Sequence, residues 1–246
     1  MRFLSTFASA SVALALSPAM AEEPHPKLGP DAVPVTTDHA YLRTAPAPDY
    51  WAFSPFVKPQ FTSSACSIAS VTAAVNGLAG LPPLAEDAVM TQPALLEATG
   101  IPEWAALSAE GGDGVTFAQL EQFTAAAAKA RGLPLKVSSF RPLAEDAATL
   151  ADLRARLVVN EASADDVALV YFNQGVVTGD WDGPHISLIG AYDAQSDRVL
   201  ILEVDQEWYI PYWTPLPVLL KAMLKPTSAE HGPLEGETGG LVILAR

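Results

Sequence analysis

A single thiol, Cys66, is the strongest nucleophile this sequence can offer, and it stands beside four histidines and 28 acidic residues in 246. A thiol attacks as the thiolate, a form favoured at a helix N-terminus and beside an imidazolium. Cys66 opens an apolar-periodic stretch, with Ile68, Val71, Val75 and Leu78 near the helical period. That spacing predicts a helix over 66–78, started by Ser63 or Ser64 as cap. The imidazole has to come from far along the chain. His25 and His39 lie in a proline-rich segment and His231 in a late loop, so His185, at the start of a predicted strand, is the candidate partner.

Strand alternation puts His185 on one face with Ser187 and Ile189. A hairpin turning near Ala194 carries its second strand back to Glu203–Asp205, opposite His185. Glu203 and Asp205 are two residues apart and share a face, so either can orient the imidazole as third member of a Cys, His, acid triad. Periodicity does not choose between them. Two other readings fit the same residues. Cys66 can be a small buried hydrophobe, or thiolate, imidazole and carboxylate can form a zinc site in a protein that catalyses nothing.

The elements that must position these groups follow from pattern. Residues 22–58 are proline-rich and weakly periodic, which predicts an extended arm packed on a domain spanning 59–246. Gly111–Gly114 is a turn, and Thr116 with Gln119 has capping-box spacing ahead of a helix carrying Leu120, Phe123 and Ala127. A further helix is predicted over 145–157. Strands follow at 167–172, 185–192 and 199–204, the last two a hairpin around 193–198, with a final strand at 241–245 after a Gly/Pro/Glu-rich loop over 227–240. Helices first and an antiparallel sheet second make the fold class α+β.

Half the residues are hydrophobic and 17% charged, enough apolar material for one sizeable core. A formal charge of −14 repels nucleic acid and anionic lipid. Arg2, the apolar run from Phe7 to Leu16 and Ala19-Met20-Ala21 read as a signal peptide over 1–21, with a periplasmic product beginning at Glu22. That run is too short to stay in a bilayer and no later stretch is longer, so no membrane span is expected. A lone cysteine in an exported protein has no internal disulfide partner and is a liability unless buried or used.

The segment Gln60-Phe-Thr-Ser-Ser-Ala-Cys66-Ser-Ile-Ala-Ser70 through Asn76 resembles the catalytic-cysteine segment of phytochelatin synthases. His185 to Tyr192, continuing through Val199–Val204 and Tyr209–Trp213, is similar to that family's histidine and acid segment. The resemblance implies a papain-like fold, with a helical lobe against an antiparallel sheet lobe. It implies Cys66 as nucleophile, His185 as general base and acid, Glu203 as orienting acid, and Gln60 with the Cys66 backbone N–H as oxyanion donors. Two positions depart from the family pattern: Glu203 replaces an aspartate, leaving Asp205 as an alternative acid, and Gln206 replaces an arginine linked to a second acyl site. The implied reaction is cleavage of the Cys-Gly bond of glutathione to a γ-glutamylcysteinyl-enzyme, released mainly by water or passed to a second glutathione. No tightly bound cofactor is implied; Cd or Zn enters as the metal thiolate of the substrate, and a homodimer is compatible. A general cysteine peptidase is the rival within the same chemistry. Trp181, Trp208 and Tyr209 are candidates to line the cleft.

Overall fold

The computed structural model describes residues 27–246, so the predicted signal segment 1–21 lies outside the described residues. In chain order the elements are β1 (Val33–Pro34), α1 (Ala40–Thr44), α2 (Pro48–Phe53), α3 (Cys66–Ala79), α4 (Gln92–Thr99), α5 (Pro102–Leu107), α6 (Phe117–Ala130) and β2 (Lys136–Phe140). Then come α7 (Ala147–Asn160), β3 (Asp166–Asn173), α8 (Gln174–Thr178), β4 (Pro184–Asp193), β5 (Arg198–Leu202), β6 (Tyr212–Pro215), α9 (Leu216–Leu224) and β7 (Gly240–Ala245). The fold is α+β as expected. One seven-stranded sheet runs in the order β1-β6-β5-β4-β3-β7-β2, and every pairing in it is antiparallel.

Both faces of the central strands are buried, which is why β3 reads as a continuous apolar run rather than an alternating one. On one face Val167, Leu169, Tyr171, Ile186 and Leu188 pack against α3, α4 and α6 through Ile68, Leu95 and Phe123. On the other, Ala168, Val170, Phe172 and Ile201 meet α7 and α9 through Leu153, Leu157, Leu219 and Met223. Helices therefore cover the sheet on both sides.

Helix α3 sits at the centre of the first layer and is buried along nearly its whole length. Small residues make this possible. Ser70 lies close enough to the sheet for its Oγ to donate to the Ile186 carbonyl at 2.9 Å, and a Cβ at Gly77 would overlap the Phe53 ring. The capping box of Thr116 and Gln119 forms as predicted at the start of α6. Asp146 caps α7 through the Thr149 N–H at 2.7 Å.

Segment 22–58 is the main departure from expectation. Its described part is not an extended arm: it folds into β1, α1 and α2, with Leu42 and Phe53 buried in the core. Val33 pairs with Trp213 at the sheet edge. The prolines that suggested an extended chain instead start helices, Pro48 being the first residue of α2, a position where proline's missing N–H costs nothing.

Candidate active site

Cys66 begins α3, but neither predicted serine caps the helix; Ala65 holds the cap position without a side-chain bond. Ser63 turns away, its backbone N–H (3.1 Å) and Oγ (2.7 Å) both donating to the Glu110 carboxylate. These bonds hold that carboxyl below its ordinary range. Ser64 Oγ donates to the Gly112 carbonyl at 2.6 Å and Thr62 Oγ1 to the Ser108 carbonyl at 2.6 Å. The serines thus fasten the loop before Cys66 to the α5–α6 connection, and the first N–H groups of α3 are left free to serve a ligand.

Gln60 is pinned from the other side. Its backbone N–H donates to the Val204 carbonyl at 2.8 Å, joining the cysteine loop to the end of β5. Its side-chain amide donates to the Ser63 carbonyl at 3.3 Å, while its Oε1 has no partner. An amide carries two N–H donors, so one remains for a ligand beside Cys66. Gln92 braces the same loop, its Nε2 donating to the Pro59 carbonyl at 2.8 Å and its Oε1 accepting from the Phe61 N–H at 3.2 Å.

His185 and Glu203 are both buried, at 3% and 0% exposure. His185 Nε2–H donates to Glu203 Oε1 at 2.6 Å, with Ser187 Oγ 3.1 Å from the same nitrogen. The ring packs edge-on against Phe172 with centroids 5.7 Å apart. Nδ1 is the ring nitrogen that Glu203 leaves unengaged, and Cys66, half-buried, is close enough to raise the ring's pKa. Burial alone would push the His185 pKa down; the Glu203 carboxylate and Cys66 overcome it and raise it to about 10. Burial likewise pushes Glu203 up, and the imidazolium with the backbone N–H groups of Asp205 and Val204 turns the shift downward. The pair is charged on both sides at neutral pH.

Of the two carboxylates that periodicity left open, contact distinguishes one. Glu203, not Asp205, reaches His185. Asp205 contributes its backbone N–H to Glu203 Oε1 at 2.7 Å, and its own carboxyl lines the cleft, raised by burial. Glu203 Oε1 also accepts from Ser187 Oγ at 3.3 Å, and Oε2 from Gln174 Nε2 at 3.1 Å. Gln206 donates to the Glu203 carbonyl at 2.9 Å. With these bonds the carboxylate is committed to holding the imidazole rather than shared with the thiol. Sequence reading did not find Gln174: it precedes His185 by eleven residues in a different element, and only the pairing of β3 with β4 brings it here.

Cys66, His185 and Gln60 open into a cleft of about 940 Å³. Trp181, Trp208 and Tyr209 line it as anticipated, the two tryptophans exposed at its rim. Glu110, Asp113, Asp180, Glu207 and Glu230 make its mouth acidic. Among the described residues, no group of three or more His, Cys, Asp or Glu side chains is arranged to hold a metal ion.

A thiol at a helix start, an imidazolium and a buried carboxylate beneath an open cleft have the geometry of a cysteine-dependent acyl-transfer site. The chain belongs to the phytochelatin synthase family, whose model matches residues 35–231. It is similar to glutathione γ-glutamylcysteinyltransferase 3 of Lotus japonicus, 34% identical over 110 residues, which cover 45% of this chain and 21% of that one. Glutathione γ-glutamylcysteinyltransferase 1 of Triticum aestivum is 36% identical over 101 residues, 41% of this chain and 19% of the relative. The Arabidopsis thaliana enzyme of the same name is 35% identical over 88 residues, 36% and 17%. The matched segments thus span about a fifth of the length of these curated relatives.

Proposed function

We propose that this chain is a papain-like cysteine acyltransferase that cleaves the Cys-Gly bond of glutathione. The observation that carries the reading is the constellation of Cys66 and His185 in one cleft with Glu203 behind them, the acid 2.6 Å from the imidazole and fully buried. Cys66 Sγ attacks the cysteinyl carbonyl, and the oxyanion is met by the Cys66 N–H and the free Gln60 amide proton. The C–N bond breaks as His185 gives its proton to the glycine nitrogen. Glycine leaves, and the γ-glutamylcysteinyl thioester stays on Cys66. Membership of the family and the names of its relatives support glutathione as the substrate.

The thioester is then released mainly by water, deprotonated by the now neutral His185, to γ-glutamylcysteine. A second glutathione amine gives a short phytochelatin by the same route. Gln206 supports water as the main acceptor: its amide donates to the Glu203 carbonyl and it offers no positive charge to a second anionic substrate. Cadmium or zinc takes part as the metal thiolate of the substrate. Arg2, the apolar run and Ala19-Met20-Ala21 support export to the periplasm.

The test is to incubate the protein and its Cys66→Ser variant with glutathione, with and without Cd²⁺ or Zn²⁺, and follow products by mass spectrometry. Glycine release by the wild type alone is expected, with γ-glutamylcysteine exceeding longer peptides. No glycine under any condition would overturn the glutathione reading.

A further inference from the structure

Tyr171 is a buried polar side chain that the mechanism above does not use. It is 2% exposed, and its hydroxyl is fully enclosed with no hydrogen-bond partner. The residue lines the cleft together with Cys66 and His185. It stands on β3 directly across from Ile186, the neighbour of His185 on β4, and its ring packs edge-on against Phe117, with centroids 6.2 Å apart.

Leaving a buried hydroxyl without a partner is unfavourable, and one that lines a cleft beside a nucleophile can be completed by a ligand. The nearby groups do not complete this one. Glu237 accepts from the Phe117 N–H at 3.2 Å and from Arg141 at 3.3 Å, and Arg141 further donates to Thr238. Cys66 makes no hydrogen bond to the Tyr171 hydroxyl. Burial holds the phenol pKa far above its ordinary value, so the group is an O–H donor at any working pH. What it lacks is an acceptor.

We propose that the Tyr171 hydroxyl selects the acyl half of the substrate, donating to an amide carbonyl oxygen one residue back from the carbon that Cys66 attacks. The oxyanion already has its donors in Gln60 and the Cys66 N–H. Tyr171 belongs to the sheet face that packs against α3 and shares the cleft with Cys66. The group it recognises is an N-acylated aminoacyl unit, the chemical class to which a γ-glutamylcysteinyl group belongs. The assignment rests on Cys66 being acylated as proposed above, and it narrows which acyl groups are taken.

The experiment compares wild type with Tyr171→Phe, which keeps the ring and its packing, on two p-nitrophenyl esters. One carries N-acetylglycine; the other carries pentanoate, of the same chain length without the amide. In each, Cys66 Sγ, its proton already on the His185 imidazolium, forms a C–S bond to the ester carbonyl, the C–O bond breaks, and p-nitrophenolate leaves with the electron pair. Nitrophenolate release gives the acylation rate.

Tyr171→Phe is expected to slow acylation by the N-acetylglycyl ester about tenfold, the worth of one hydrogen bond of about 1.4 kcal/mol, with pentanoate unchanged. Its melting temperature should be equal to or above wild type, since the lost hydroxyl had no partner. Equal slowing with both esters, no slowing with either, or no acylation of wild type would each overturn the assignment. Wild-type protein that discriminates the esters in this way but leaves glutathione intact would keep the role of Tyr171 and remove the glutathione reading.

Discussion

His185 and Glu203 meet through a single 2.6 Å hydrogen bond in a place from which water is excluded. An ion pair without solvent has to be held by other hydrogen bonds or it costs more than it returns. Here Ser187, Gln174 and the Asp205 backbone supply them to the acid.

Glu203→Gln keeps the shape but removes the charge that sustains the imidazolium. Glycine release from glutathione should fall about 10²- to 10⁴-fold, the range over which triad acids act. Glu203→Asp shortens the reach by one methylene and should lose less, because Ser187 stays beside the imidazole. Steady-state rates of both variants, with circular dichroism to verify folding, check this.

The stability of the pair depends on pH from both ends. The folded His185 pKa lies at about 10, above its ordinary 6.5, so its contribution is complete below 6.5 and is lost as pH rises through about 10. Glu203 is depressed below 4.5, so its contribution is complete above 4.5 and is lost as pH falls through that depressed value. The difference in unfolding free energy between wild type and Glu203→Gln should therefore be largest between pH 4.5 and 6.5 and shrink toward pH 10. Urea titrations across that range measure it.

Asp49 is buried in α2 with neither carboxyl oxygen bonded. Burial, with the nearby Glu161 and Asp166, raises its pKa from 3.8 to about 9. A raised carboxyl favours folding fully only below 3.8, and folding loses ground as pH climbs toward 9. Asp49→Asn should raise the melting temperature at pH 8 by several degrees, at about 2–4 °C per kcal/mol for a chain of this size. The gain should vanish near pH 4; scanning calorimetry at the two values decides.

Gln60→Ala removes a side-chain donor next to Cys66 while leaving the backbone bond to Val204 in place. A loss of about 10²- to 10³-fold in the rate of glycine release is expected if the amide meets the oxyanion. The rate at which iodoacetamide alkylates Cys66 should stay within about twofold of wild type, because that reaction develops no oxyanion. A parallel fall in both rates would instead mean that the loop had moved.

Gly239 lies where a Cβ would overlap the Tyr171 carbonyl. Gly239→Ala should push β7 away from β3 and lower stability by about 1–3 kcal/mol, the range of overpacked cores, with a lower denaturant midpoint as the readout.

The amino-acid sequence by itself determined which groups carry the chemistry and most of the elements that bear them. One cysteine at the start of an apolar 3.6-residue period marks α3, and one histidine at the start of an apolar run marks β4, because these periodicities are local properties of the chain. Capping at Thr116 is equally local. What needed the tertiary structure was every relation set by register or by distant segments. Alternation would put Glu203 and Asp205 on one face; in the structure the pairing of β4 with β5 carries a register shift between Ile189 and Ala191. Gly190 sits within it, where a Cβ would overlap the Leu202 side chain. Past Leu202 the strand ends, and the chain is free to turn Glu203 onto His185. The serines before Cys66 had the residue type of a cap but were claimed by Glu110 and Gly112, partners over 40 residues away that no local pattern reveals. The proline-rich segment misled because proline fixes φ at a value that suits an extended chain and the first turn of a helix alike. Only the core that Phe53 enters decides between the two.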